Sequence, residues 1–87
     1  MRDLDQRLAD VANAPANTDF KELVAVMKAA GFEFRMGKKG HGIFTNRAYG
    51  VRQTVAKPHH GPVKPVYVKD CLNAIDKLRA LQEKTDG

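Results

Sequence analysis

Phe32-Glu33-Phe34-Arg35-Met36-Gly37-Lys38-Lys39-Gly40-His41-Gly42-Ile43-Phe44-Thr45-Asn46 is the stretch on which the fold turns. Residues 32–36 alternate apolar and charged side chains, the period of a half-buried strand. Gly37 to Gly40 then supply a turn, and His41 to Asn46 a second strand with a β-branched and aromatic centre. Before Phe32 the period is helical; after it the period is two. The stretch also gathers chemistry: Lys38 and Lys39 between glycines, and His41 where the second strand begins. Glycine permits close backbone approach, lysine brings cationic donors to phosphate, and histidine exchanges protons near neutral pH.

Downstream, Arg47-Ala48-Tyr49-Gly50 reads as a second hairpin turn and Val51 to Val55 as a third strand. Short connections make an antiparallel three-stranded meander the economical topology. Lys57 to Lys64 is a loop by its prolines and glycine. Pro65 suits the first turn of a final helix, which presents Val68, Cys71, Leu72, Ile75 and Leu78 and runs to about Gln82. Upstream, Thr18 or Asp19 caps a helix with Phe20, Leu23, Val24, Met27 and Ala30 on one face, ended by Gly31. Earlier still, Leu4, Leu8 and Val11 mark a short amphipathic helix, broken by Ala14-Pro15-Ala16-Asn17. The order is α-α-β-β-β-α, an α+β chain whose helices cover one face of the sheet and leave the other open.

Eighty-seven residues make one domain with a small core. Residues 1–17 are expected to be an N-terminal helix and linker, 18–82 the domain proper, and 83–87 a tail. No apolar run has bilayer length and no signal-peptide pattern opens the chain. A single cysteine, Cys71, makes no internal disulfide. A cytoplasmic protein without membrane association is expected. The net charge of +5 is concentrated: residues 20–70 hold ten Lys or Arg against three acids, or +7, while residues 1–19 carry −2 and the rest is neutral. Such a segment points to a polyanion, nucleic acid or an acidic protein, and otherwise to a solubilising surface.

With these residues in place, residues 18 to about 80 resemble the HicA family of toxins from bacterial toxin–antitoxin pairs. Lys21-Glu22-Leu23 and Ala30-Gly31-Phe32 match the family's first helix. Lys39-Gly40-His41-Gly42-Ile43-Phe44 matches its Gly-Ser-His-x-Ile-Phe strand, with Gly40 where the family has serine. His59-His60-Gly61 and Lys64-Pro65 match its loop and last helix. The resemblance implies a double-stranded-RNA-binding-like α-β-β-β-α fold, an mRNA interferase (endoribonuclease) activity centred on His41, mRNA as substrate and a cognate HicB-like antitoxin as partner. The N-terminal helix lies outside that pattern.

The residues fit such chemistry on their own terms. RNA carries its own nucleophile, so cleavage needs a base, charge stabilisation and geometry. His41 is the candidate general base, and Lys38 and Lys39 face the growing phosphorane charge. His59 or His60 is the candidate acid for the leaving 5′-oxygen, provided the loop folds back; otherwise both belong to a solvated loop. Lys57, Lys64 and Lys69 extend a phosphate track, with scattered solvated lysines as the alternative. Tyr49 and Tyr67 are candidates for base stacking or for packing. Adjacent histidines, a remote third and no nearby carboxylate argue against a metal site, and no cofactor is expected. Two other readings stand beside the enzyme: a non-catalytic RNA-binding module, and an adaptor for acidic proteins.

Overall fold

A computed structural model describes residues 3–86. Helix α1 spans Leu4–Asn13, α2 Phe20–Ala29 and α3 Pro65–Asp86; strands β1 (Glu33–Met36), β2 (His41–Asn46) and β3 (Val51–Ala56) lie between α2 and α3. Single 3₁₀ turns at Pro15–Asn17 and Lys38–Gly40 complete the order. The sheet is antiparallel with β2 in the centre. The fold is therefore α+β with an open three-stranded sheet, as the change of period implies. Among the described residues no helix is long and apolar enough to cross a membrane.

Local chemistry explains the boundaries. The Asp3 carboxylate accepts the Gln6 N–H at 2.8 Å and starts α1. At the end of α2, Gly31 adopts φ +110°. The Gly31 N–H donates to the Lys28 carbonyl and the Phe32 N–H to the Met27 carbonyl. These are the paired closing bonds of a glycine-terminated helix. Phe32 thus belongs to the helix cap, not to the first strand as its alternation implies, and is buried there. Asn46 then locks this corner: its Nδ2 donates to the Gly31 carbonyl and its Oδ1 accepts the Tyr49 N–H.

The core lies between the helices and one face of the sheet. Leu23, Val26 and Met27 of α2 and Val68, Cys71, Ala74, Ile75 and Leu78 of α3 meet Phe44, Val51 and Val55. Val26 and Ala74 are core positions that the helical spacing did not pick out, whereas Val24 and Leu72, which it did, are only half-buried. Three aromatic rings stack along the helix-covered face, Phe20 on Phe34 at 5.9 Å and Phe34 on Phe44 at 5.2 Å between centroids. Gly42 sits beneath them; a Cβ there would lie 2.9 Å from Phe20 and 3.0 Å from Phe34. Glycine is needed in this strand because the rings approach the backbone.

α1 docks on the same core. Val11 is 4% exposed, and Leu4 and Leu8 pack beside it. Arg79 reaches Asp5 at 2.9 Å across the α1–α3 seam, an exposed pair of small energetic weight. α3 continues to Asp86, beyond the end near Gln82 read from its apolar stripe. Its Cys71 thiol is pushed up to about 12 by burial and, secondarily, by the Asp70 charge.

Candidate nucleic-acid interface

Register decides which side chains share a surface. Paired residues face the same way, so Phe34, Gly42, Phe44, Val51 and Val55 turn to the helices. His41, Ile43 and Thr45 of β2 turn to the open face. The turn before β2 folds back on Ile43: a Cβ at Gly37 would meet its Cδ1 at 2.7 Å. The Gly37 N–H donates to the His41 carbonyl at 2.7 Å and closes that turn. Within it Lys39 has φ 65° and Gly40 φ 75°, two consecutive left-handed residues. Gly40, where the resemblance implies serine, is thus the residue type this backbone favours.

The loop from Lys57 to Lys64 folds back to the same end of the sheet. The Lys57 N–H donates to the Gly40 carbonyl at 3.1 Å, tying the loop to the turn. The Val63 N–H donates to the Thr18 carbonyl at 2.9 Å, and the Val63 side chain is 1% exposed. Lys57 Nζ stands 5.8 Å from the Phe20 ring centre, a cation–π distance. These three tethers hold an otherwise polar loop across from His41.

Between turn, strand end and loop lies an open groove of about 810 Å³. Its walls bring together all three histidines, His41 from β2 and His59 and His60 from the loop. Lys39, Lys57 and Lys64 supply positive charge, and Tyr67 at the start of α3 an aromatic wall. Among the described residues no Asp or Glu lines it. The sequence-derived candidates divide accordingly. Lys38 and Lys69 do not line the groove, and Tyr49 packs beside the core at the other hairpin. What the sequence reading missed is the support: Phe20 beneath Lys57, and Val63 as anchor. Val63 is the one large aliphatic residue among prolines, histidines and lysines, and that isolation was the available signal.

Chemically the groove offers three imidazoles and three ammonium groups, with no carboxylate among the described lining residues. The His41 side chain has no hydrogen-bond or ion-pair partner among the described residues. Among those residues no group of three or more His, Cys, Asp or Glu is placed to hold a metal ion. Comparison with protein-family models, curated proteins and solved structures finds no match to this chain.

Proposed function

We propose that the protein is a metal-independent endoribonuclease that cleaves mRNA, a toxin of HicA-like type acting in the cytoplasm and restrained by a HicB-like antitoxin. The observation that carries this reading is the groove, where His41 shares walls with His59, His60 and three lysines and with no acid. The segment order from α2 to α3 is the one a double-stranded-RNA-binding-like domain requires, and supports the same reading.

In this mechanism neutral His41 removes the proton from a ribose 2′-hydroxyl. The 2′-oxygen attacks phosphorus, the P–O5′ bond breaks, and the 5′-oxygen takes a proton from His59 or His60. The products are a 2′,3′-cyclic phosphate and a 5′-hydroxyl. Lys39, Lys57 and Lys64 neutralise the extra charge on the phosphorane. General-base removal by His41 accounts for about 10²–10⁴ in rate.

Inducible expression of the wild-type and His41→Ala chains tests the proposal, with growth and RNA integrity scored together. The wild type arrests growth and fragments mRNA; His41→Ala does neither. A His41→Ala chain that still fragments RNA would remove His41 from the mechanism. One observation favours a second reading, a non-catalytic RNA-binding module: among the described residues no hydrogen bond or ion pair holds the His41 ring. Under that reading pure wild-type protein binds RNA, weakens steeply with salt, and cuts nothing.

A further inference from the structure

The groove ends at His41, but the face to which His41 belongs does not. By register, Glu33, Arg35, His41, Ile43, Thr45, Arg52, Thr54 and Ala56 share the side of the sheet turned away from the helices. Arg35 and Arg52 are exposed there. The face's single acid, Glu33, lies at its far end beside Arg47 at 4.0 Å. Thr45 and Thr54 add hydroxyl donors, and the face carries no Phe or Tyr.

We infer that this open face is a binding track for single-stranded RNA, with Arg35 and Arg52 holding successive phosphates beyond the bond cleaved at His41. The inference rests on the endoribonuclease reading of the groove and names its substrate class. Strand geometry sets the spacing. Arg35 is one strand across and one same-face step along from His41, about 8 Å between Cα atoms, and Arg52 about 14 Å on the other flank. These distances correspond to about one and about two phosphate repeats of an extended strand, within the reach of arginine side chains. Guanidinium is the better group for phosphate because its fork of donors fits the oxygens bidentately. In-line attack by a 2′-oxygen also needs a backbone free to rotate, which a stacked duplex does not offer. Contacts from the two arginines go chiefly to phosphates, so the track reads backbone and not sequence.

The test is binding of 2′-O-methyl RNA, which cannot be cleaved, as a single-stranded 12-mer, the corresponding duplex and a trimer, each over a range of salt. The 12-mer binds the wild type more tightly than the duplex does. Arg35→Ala and Arg52→Ala each weaken the 12-mer roughly ten-fold, and each lowers the log–log salt slope by about 0.7. Neither changes trimer binding, since the trimer fills only the groove. Arg35→Lys and Arg52→Lys keep the slope, because charge is retained. Circular dichroism verifies that all four variants fold. Unchanged 12-mer affinity in both alanine variants overturns the track, and so does tighter binding of the duplex. Light scattering that shows a dimer dissociated by Arg35→Ala also overturns it, because a second copy then covers the face. RNA cleavage by the wild type with no effect of the arginines removes the track and leaves the enzyme. Weakened binding in the arginine variants without any cleavage does the reverse.

Discussion

Gly42→Ala probes the packing that holds the groove's far wall. The new methyl would lie 2.9 Å from Phe20 Cζ, 3.0 Å from Phe34 Cε1 and 3.3 Å from Phe20 Cε1. Phe34 has a ring on each side, Phe20 and Phe44, whereas Phe20 has Phe34 on one side only. Phe20 is half-buried and yields outward, losing packing on Phe34 and its place beneath Lys57. Overpacking of this kind costs about 1–3 kcal/mol, and the freedom of Phe20 puts the expected value near the lower end, about 1–2. For a domain of this size each kcal/mol moves Tm by about 4–8 °C, so a fall of roughly 5–15 °C is expected. Thermal and urea unfolding of the wild type, Gly42→Ala, Phe20→Leu and the double variant measure it. Leucine has no atom at the Cζ position, so the double variant recovers about 1 kcal/mol of non-additivity. A Gly42→Ala protein within 0.5 kcal/mol of the wild type, or strict additivity with Phe20→Leu, would refute the close approach.

Three further outcomes are expected. Gly40→Ser puts a side chain on a residue with φ 75°, and a Cβ there meets nothing within 4 Å, so the cost is backbone strain alone, about 1–2 kcal/mol by urea unfolding. Val11→Ala lowers stability by about 2 kcal/mol in the same assay, because α1 contributes Val11 to the common core; a neutral result would mean that α1 is not docked. Cys71 resists thiol reagents in the native state and is labelled on unfolding. With its thiol raised from 9.0 to about 12, the folded chain keeps a proton that the unfolded chain loses. Its contribution is therefore full below pH 9 and falls by about 1.4 kcal/mol per pH unit from 9 to 12. The stability gap between wild type and Cys71→Ala narrows over that window.

The meander was legible because periodicity and glycine placement agree across residues 33–56, where each turn is short and each strand neighbours the next. Helix boundaries followed from local signals too, Gly31 at one end of the sheet and Pro65 at the other. What could not be read was which way a half-apolar helix leans. Spacing picked Val24, and the position of the sheet buries Val26 instead. The fate of α1 was equally closed, since a stripe of Leu4, Leu8 and Val11 says that one face is buried but not against what. At the site, His41 and Lys39 come from one segment and were visible together. The return of His59 and His60 depends on the Lys57–Gly40 and Val63–Thr18 hydrogen bonds, which pair distant backbone groups, and only the lone aliphatic Val63 hinted at such an anchor. Lys38 was grouped with Lys39, yet only Lys39 lines the groove, because side chains diverge through a tight turn with a left-handed residue.

The central claim is that His41 removes a 2′-hydroxyl proton without help from a metal. Its most direct test is single-turnover cleavage of a defined RNA by highly purified protein in excess chelator, with the termini of the fragments identified. The account requires 2′,3′-cyclic phosphate and 5′-hydroxyl ends, no cleavage at a site bearing a single 2′-deoxy substitution, and a loss of about 10²–10⁴ in rate for His41→Ala with RNA affinity retained. Cleavage at the wild-type rate by His41→Ala, or cleavage that persists at the 2′-deoxy site, would contradict it.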